Sequence, residues 1–248
     1  IPALELAKAE EEFRNQRVVL SEGIGGGLND AVVINLYMHV VATDETLEGG
    51  NVPDSQITSQ VNVLNTDYRS MNIGFNLVNV TRTIDKAWFH AGPNSREQTE
   101  MKQGLRQGGP ADLNVYSNHL GHKLLGYATF PKDVSNLVED GVVVLHTSLP
   151  GGGEGRYDGG RTLTHEVGHW LGLYHTFQGG CEEPGDLVDD TPSEAYPGFG
   201  CPEERKSCPQ STGLDPIHNF MDYGDDSCME SFTPGQGMRI KAQIAIYR

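Results

Sequence analysis

The sequence is short of two things, long apolar runs and basic residues. None of its apolar stretches approaches the roughly 20 residues that a transmembrane helix needs. Its 18 Lys and Arg residues stand against 34 Asp and Glu residues, which gives a formal net charge of −16. Because nucleic acids and anionic membranes are bound through clustered Lys and Arg, this composition argues against both as partners. The acidic balance is compatible with cationic substrates or calcium, although most acidic surfaces are simply solvated.

Cysteine is also scarce and is confined to the last third of the chain, at Cys181, Cys201, Cys208 and Cys228. An even number in a loop-rich stretch predicts two disulfides and an oxidising, extracellular compartment. A structural zinc site is the alternative, but none of the spacings is the C-x₂-C kind typical of such sites. Four cysteines allow three pairings, and the spacing does not choose among them. No signal peptide is visible at Ile1, so we expect a processed or trimmed form.

The order of predicted elements is α/β in the first two thirds of the chain. The strand candidates are residues 31–42, 74–84, 113–117, 126–130 and 142–147. The helix candidates are residues 57–68 with Asp54 or Ser55 as cap, 95–107 opened by a capping box, 161–173, and a last helix opened by Thr233 and Pro234. Residues 176–231 show no apolar periodicity, and a structureless stretch of that length is usually functional. Asn79-Val80-Thr81 is a glycosylation sequon.

The segment from His165 to His175 predicts a metal site. His165 and His169 are four residues apart on a predicted helix, so they lie about 40° apart around its axis and roughly 6 Å apart along it. Both imidazoles can therefore bind one metal ion, with Glu166 beside them but not a ligand. On a continuing helix His175 would be rotated by about 240° from His169 and would face away. Gly172 can adopt the positive φ that ends the helix and turns the chain back.

This spacing predicts His175 as a third ligand. Three neutral histidines leave a fourth position for water, which is the open geometry of a catalytic zinc site. The full pattern H-E-x-x-H-x-x-G-x-x-H is the metzincin signature. Two alternatives use the same residues: a zinc-binding secreted interaction module without activity, and a structural or adhesive domain whose histidines serve packing. Because Glu166 and all three histidines are present, nothing in the sequence favours the inactive module.

A methionine follows at the expected distance, in Asn219-Phe220-Met221-Asp222-Tyr223. The metzincin pattern requires such a Met-turn, in which the Met forms an apolar floor under the histidines. A lone Met is ordinarily a core residue. Its position between the metal motif and the last predicted helix favours the functional interpretation.

The chain resembles the pappalysin family of metzincin peptidases, in particular its small secreted members. The matching segments are residues 160–175, 188–192 (Val-Asp-Asp-Thr-Pro), 219–223, Asp226, Cys228 and 232–236. The zinc motif is common to metzincins, whereas its combination with the Asp-Asp-Thr-Pro loop and with the placement of the cysteines points to this family. The match covers nearly the whole chain and is least certain over residues 1–30.

The resemblance implies one metallopeptidase catalytic domain over residues 1–248. A twisted five-stranded mixed sheet and two main helices would form an upper subdomain, about residues 1–175. An irregular lower subdomain with one C-terminal helix would follow, about residues 176–248. A protein or peptide substrate would lie in the cleft between them and pair with the edge strand, for which we take residues 126–130. Latency in the family comes from a propeptide cysteine, and since no cysteine precedes Cys181, an unlatched mature form is expected.

The resemblance also assigns roles in a zinc endopeptidase. Glu166 would be the general base, and the hydroxyl of Tyr223 would stabilise the oxyanion. A buried tyrosine with a satisfied hydroxyl is the alternative for Tyr223. The disulfides implied by the resemblance are Cys181–Cys208 and Cys201–Cys228.

A calcium site near Asp189, Asp190 and Thr191 is implied as well, because the family carries calcium there and these oxygen ligands suit Ca²⁺. A solvated acidic turn would have the same sequence. Asp226 follows the Met-turn, where metzincins form the pocket for the residue on the carboxyl side of the scissile bond. A partly desolvated carboxylate there needs a cation, and a substrate Arg or Lys would supply it. We therefore expect cleavage on the amino side of Arg and Lys, unless Asp226, like Asp225, only caps a turn or faces solvent.

Overall fold

Helices and strands alternate along the described chain, which comprises residues 3–21, 30–120 and 124–248 of a computed structural model. The helices are α1 Ala3–Ser21, α2 Asp54–Asp67, α3 Lys86–Phe89, α4 Arg96–Leu105, α5 Arg161–Trp170 and α6 Pro234–Tyr247. The strands are β1 Val32–Ala42, β2 Ile73–Ile84, β3 Leu113–Asn118, β4 Gly126–Ala128 and β5 Val142–Leu145. Of the helices within these ranges, none has the length and apolar character that a membrane span requires.

The strands form one mixed sheet in the order β2-β1-β3-β5-β4, which confirms the predicted five-stranded mixed sheet. Neighbouring strands are parallel except for β4, which runs antiparallel to β5 at the edge. All residues of β3 and β5 are buried, as expected for inner strands that are covered on both faces. β4 ends at Ala128 rather than at the predicted Phe130, whose ring packs on His169 and Tyr174 instead.

Helices cover the sheet on both faces. The larger apolar cluster packs β1 residue Leu36 with Leu64 of α2, Val167 of α5 and Ile240 of α6. A smaller cluster on the other face includes Met101 of α4. Burying side chains of this size stabilises the fold by about 1.5–3 kcal/mol each. Burial therefore fixes α5, which carries the predicted metal motif, against the sheet.

Of the helix caps at α2 and α6, the sequence predicts that of α6 correctly and that of α2 incorrectly. The predicted cap of α6 is present: the hydroxyl of Thr233 accepts a hydrogen bond from the Gln236 N–H at 3.1 Å, and the Gln236 side chain accepts one from the Thr233 N–H at 2.9 Å. No side chain caps α2, so the predicted cap by Asp54 or Ser55 is wrong. The Asp54 carboxylate pairs with Arg82 of β2 instead.

Residues 171–233 contain none of these helices or strands, in agreement with the missing periodicity. Disulfides Cys181–Cys208 and Cys201–Cys228 cross-link this stretch. Arg205 forms ion pairs with two buried carboxylates, those of Glu194 and Asp215. Side-chain interactions thus replace the hydrogen-bond ladders of regular structure.

Candidate metal centre and substrate cleft

Helix α5 and the turn after it bring the three predicted histidines together. The rings of His165 and His169, one helical turn apart, have centroids 4.7 Å apart. Gly172 has φ +93°, so the helix ends at Trp170, before the predicted residue 173. The reversed chain places the ring of His175 4.5 Å from that of His169 and 5.1 Å from that of His165.

Hydrogen bonds fix the orientation of two of these rings. Nδ1 of His165 donates to the carbonyl of Phe220 at 2.7 Å, and Nδ1 of His169 donates to the carbonyl of Leu173 at 2.7 Å. Their Nε2 atoms are therefore the free ligand atoms. One ring nitrogen from each of the three histidines lies within 4.8 Å of the others, and Nε2 of His169 is 3.0 Å from Nε2 of His175.

Burial keeps these imidazoles neutral. It lowers the pKa of His165 to about 4 and that of His169 to about 3. The pKa of His175 is also held well below its usual range, first by burial and then by the neighbouring histidines. A metal ion binds only the neutral form of imidazole. Three neutral and convergent nitrogen ligands, two of them buried and the third half-buried, fit zinc with an open fourth position.

Glu166 lies next to the edge strand β4. It is 8% exposed, and burial raises the pKa of its carboxyl to about 8. A Cβ atom on Gly126 would lie 2.9 Å from Oε1 of Glu166, so only glycine fits at the start of β4. The carboxylate is thus held between the metal helix and the strand that borders the cleft.

Met221 lies beneath α5, as the Met-turn pattern predicts. It is fully buried, and a Cβ atom on Gly168 would lie 2.4 Å from its sulfur. The side-chain oxygen of Asn219 accepts a hydrogen bond from the Met221 N–H at 2.9 Å. Asn219 in turn forms two hydrogen bonds with Gln236 of α6. The turn is therefore anchored to both helices.

Tyr223 faces the histidines from the other side of the cleft. Its hydroxyl is 3.1 Å from Nε2 of His175, and its ring packs on Phe177. Burial raises the pKa of Tyr223 to about 12, so the hydroxyl stays protonated and can donate a hydrogen bond. The side chain is 37% exposed, which leaves it accessible to a ligand in the cleft.

A cleft of about 390 Å³ runs past these groups. One wall is formed by Leu124, Leu125 and Gly126 at the sheet edge, and the other by residues after the Met-turn, including Tyr223 and Met229. Clefts of this size that combine apolar walls with a few convergent polar groups are typical of ligand sites.

Known proteins share this arrangement. The peptidase M43 family, described as pregnancy-associated plasma protein-A, matches residues 123–245. An extracellular metalloprotease of Verticillium alfalfae is 46% identical over 223 residues, covering 87% of this chain and 76% of that protein. Another, of Colletotrichum graminicola, is 40% identical over 251 residues, covering 100% of this chain and 88% of that protein.

Two solved structures are also similar. Mature mirolysin of Tannerella forsythia in complex with a cleaved peptide has a TM-score of 0.72 at 31% identity, covering 88% of this chain and 97% of that chain. A promirolysin mutant of the same species has a TM-score of 0.79 at 29% identity, covering 97% of this chain and 88% of that chain.

The chain belongs to this pappalysin family. The predicted family, the metzincin-type fold and the zinc metalloendopeptidase activity are thereby confirmed. The predicted extracellular location is confirmed by the relatives as well.

Asp226 lines the cleft of this peptidase, but its carboxylate already accepts hydrogen bonds from the main chain. Oδ2 accepts hydrogen bonds from the N–H groups of Gly159 at 2.8 Å and Arg161 at 3.1 Å, at the start of α5. Burial raises the pKa of Asp226 above its usual value. Another carboxylate that lines the cleft, that of Glu154, escaped the sequence analysis. The glycines on both sides of Glu154 mark a loop, and loops next to a site often carry function.

The predicted calcium residues differ in their surroundings. Asp189 and Asp190 are exposed, and Oδ2 of Asp190 accepts a hydrogen bond from the Gly235 N–H at 2.8 Å at the start of α6. Oγ1 of Thr191 and Oδ2 of Asp186 are buried and make no hydrogen bond of good geometry within the described residues, although the Thr191 side chain lies beside the Asp186 carboxylate. Burial raises the pKa of Asp186 to about 7. Sequence reasoning missed Asp186, because its burial depends on contacts distant in sequence.

The two disulfides have the pairing that the resemblance implies. Cys201, Cys228 and His218 also lie close enough together to hold a metal ion. Because the two cysteines are bonded to each other, their sulfurs are not thiolate ligands. Nδ1 of His218 donates to the carbonyl of Cys228 at 2.7 Å, which is a structural contact.

Proposed function

We propose that His165, His169 and His175 hold the zinc of this endopeptidase and that Glu166 is its general base. The observation that carries this proposal is the convergence of three imidazoles, two buried and that of His175 half-buried, with Glu166 beside them. When bound, zinc supplies a Lewis acid that polarises the scissile carbonyl and acidifies a water molecule. Glu166 accepts a proton from the attacking water and passes it to the leaving amine.

Tyr223 donates a hydrogen bond to the oxyanion that develops from the substrate carbonyl. Its protonated hydroxyl, 3.1 Å from Nε2 of His175, supports this role. A preorganised donor of this kind commonly stabilises a transition state by about 2.7–4 kcal/mol. Met221 holds the floor of the site, and its close packing on Gly168 supports that assignment.

The substrate lies extended along β4. This strand is at the sheet edge, and an edge strand offers unpaired main-chain groups to a peptide. We propose that residues 1–248 act as one catalytic domain with the cleft between about residues 1–175 and 176–248. One apolar cluster that includes residues from β1 to α6 supports the single domain.

The mechanism is tested with Glu166→Ala and a denatured protein substrate. Because Glu166 is not a ligand, the variant is expected to keep its zinc while kcat falls by several orders of magnitude. Metal content and peptide release are measured on the same samples. Near-normal proteolysis by Glu166→Ala would refute the assignment. A wild-type chain that binds zinc and cleaves nothing would favour the inactive interaction module.

We propose further that the enzyme prefers Arg or Lys on the carboxyl side of the scissile bond. Besides Glu166 and Asp222, the cleft is lined by the carboxylates of Asp226 and Glu154. The Asp226 carboxylate accepts two backbone hydrogen bonds, whereas that of Glu154 accepts one from the hydroxyl of Thr147, so Glu154 supplies the less compensated charge. A guanidinium or ammonium group of the substrate would pair with these acids.

Cleavage-site profiling on a peptide library tests this preference. Asp226→Asn keeps an oxygen for the helix start but removes the charge, and Glu154→Gln does the same on the loop. We expect each to reduce the enrichment of Arg and Lys by about tenfold, the effect of losing about 1.4 kcal/mol. Asp225→Asn is the matched control, because Asp225 pairs with Arg156 at 3.5 Å. A wild-type profile without Arg or Lys after the cleaved bond would end this proposal.

The calcium site is proposed for the same acidic loop, residues 186–191. Thr191 and Asp186 lie beside each other, each with a buried oxygen that makes no hydrogen bond of good geometry within the described residues, and such oxygens suit Ca²⁺. Asp189 stays a candidate ligand, whereas one oxygen of Asp190 is engaged by α6.

A further inference from the structure

Strand β2 leaves the edge of the sheet open beyond Phe75, whose main-chain N–H and C=O groups are hydrogen-bonded to the side chain of Asn65. It has 12 residues and lies at the end of the sheet opposite to β4. Within the described part of the chain it pairs with β1 on one side and with no strand on the other. Val78 and Ile84 of this strand are 46% and 59% exposed. A long, partly apolar edge of this kind is a template for pairing with another chain.

A β-bulge interrupts this edge at Val78. Leu36 pairs with Leu77, and the next residue of β1, Tyr37, pairs with Asn79, so Val78 is the extra residue. Leu77 and Val80 both pack against the larger apolar cluster. Asn79 therefore lies on the opposite face of the sheet, away from α2 and α5. Bulges are one of the devices by which proteins blunt edge strands.

Asn79 directly follows the bulge and is exposed. Its Nδ2 donates a hydrogen bond to Oε1 of Gln107 at 3.1 Å on the protein surface. Asn79-Val80-Thr81 is the only Asn-x-Ser/Thr sequence in the chain. The relatives are extracellular proteins of fungi, which glycosylate such sequences during secretion. We propose that Asn79 carries an N-linked oligosaccharide that shields the free edge of β2.

The modification fits the local hydrogen bonds. Nδ2 of Asn79 attacks C1 of an oligosaccharide carried on a lipid diphosphate. An N–C1 bond forms, the C1–O bond breaks, and the lipid diphosphate leaves with the bonding electrons, while a proton of Nδ2 passes to a base of the transferase. The remaining N–H of Nδ2 can still donate to Gln107. In the folded chain the hydroxyl of Thr81 lies 2.7 Å from Nδ1 of His39, so it has a structural role after the sequon has been used.

The glycan would make the two edges of the sheet differ in their accessibility to another strand. A bulky hydrophilic group beside the bulge hinders another strand from pairing with β2, whereas β4 stays accessible to the substrate. Since Asn79 lies on the face away from α5, the glycan leaves the catalytic groups uncovered. The consequence is a secreted enzyme that accepts an added strand at β4 alone.

The site is tested by secreting the whole chain from a glycosylating eukaryotic host. Treatment with peptide N-glycosidase in H₂¹⁸O should lower the mass and convert Asn79 to ¹⁸O-labelled aspartate in the peptide map. Thr81→Ser keeps the sequon and should stay modified, whereas Asn79→Gln should lose the whole mass difference. An unmodified Asn79 in the secreted wild-type protein would overturn the site.

The shielding is tested on folded protein, so that a folding defect of a variant cannot mislead. Glycosylated enzyme is compared, by light scattering at increasing concentration, with the treated enzyme, which has an aspartate at this position, and with folded, secreted Asn79→Gln, which has neither the glycan nor the added charge. We expect the average mass of the deglycosylated form to rise at least about twofold through edge pairing, with unchanged peptidase activity per monomer at low concentration. Val78→Lys in the Asn79→Gln background should restore the monomer. A deglycosylated enzyme that stays monomeric over the whole range would overturn the shielding.

Discussion

The region before the turn at Gly172 and the region after it are stabilised in different ways. In residues 32–170, sheet and helices bury apolar side chains such as Leu36, Val115 and Val144, each at most 1% exposed. In residues 171–233, which contain no helix or strand, two disulfides cross-link the chain and Arg205 lies between the carboxylates of Glu194 and Asp215. We call these the regular region and the loop region. Buried ion pairs occur before the turn too, as between Arg106 and Asp140.

The two regions contribute different parts of the site. The regular region places His165 and His169 one helical turn apart, and the carbonyls of Phe220 and Leu173 in the loop region orient their rings. The loop region supplies His175 and Tyr223, whose positions have no repeating hydrogen bonds to define them. Cross-links therefore matter more in the loop region.

The largest effect is expected from His175→Ala, which removes the loop region's ligand. Changes in residues that merely orient ligands cost about 10–100-fold in metal affinity, so loss of a ligand should cost more than about 100-fold. Zinc affinity is measured by competition with a chelator, and proteolysis should fall with metal content. Lys241→Ala on α6, distant in sequence from the motif, is the control. Retained affinity would mean that the turn at Gly172 does not build the site.

Loss of a disulfide should affect the loop region selectively. Each disulfide joins residues 27 apart, and the chain-entropy model gives about 3–4 kcal/mol for loops of a few tens of residues. Cys201→Ser with Cys228→Ser should thus lower the free energy of unfolding by about that amount. Hydrogen exchange should quicken in residues 171–233 before it does in β1 and β3. Equal changes in both regions would contradict the division.

Tyr223→Phe should reduce kcat by about 100–1,000-fold, the effect of losing one oxyanion donor. KM is expected to change little, since the hydroxyl acts on the transition state. The ring contacts with Phe177 and the buried core remain, so the melting temperature should not move. Steady-state kinetics on one peptide decides this, and an unchanged kcat would leave Tyr223 with a packing role.

Calcium removal should have the smallest effect of this series. Calcium at about 100 times its Kd would stabilise the fold by about 2.7 kcal/mol, so chelation with zinc retained should lower the melting temperature. Asp186→Asn should abolish this calcium dependence, while Asp190→Asn, which keeps an oxygen for the Gly235 N–H, should preserve it. If chelation leaves the melting temperature of the wild type unchanged, the loop holds no calcium.

The regular region was largely predictable because its signals are local. The apolar runs predict all five strands, and the spacing from His165 to His175 predicts the turn at Gly172. Helix α1 was not predicted. It is held by distant contacts: Glu10 pairs with Arg239 of α6 and accepts a hydrogen bond from the hydroxyl of Tyr174 at 3.1 Å.

The loop region was less predictable because its residues acquire their surroundings through contacts distant in sequence. The main-chain bonds from Gly159 and Arg161 to Asp226 span 67 and 65 positions. No pattern in the sequence indicates that this carboxylate closes the start of α5. The burial of Asp186 is hidden for the same reason. Short sequence patterns indicate the proposed metal ligands, whereas only the fold shows which carboxylates are not already engaged by other groups of the protein.

The contact between Gly126 and Glu166 fixes the position of the proposed base relative to the edge strand that would bind the substrate. Strand β4, which is proposed to bind the peptide backbone, begins at Gly126. A Cβ atom on Gly126 would lie 2.9 Å from Oε1 of Glu166, the proposed general base. Successive side chains of an extended peptide point to opposite sides, so a slip by one residue turns every side chain around. A substrate paired with β4 would thus be cleaved at a fixed distance from Gly126. The register of that pairing would decide both which bond is cleaved and which side chains enter the cleft.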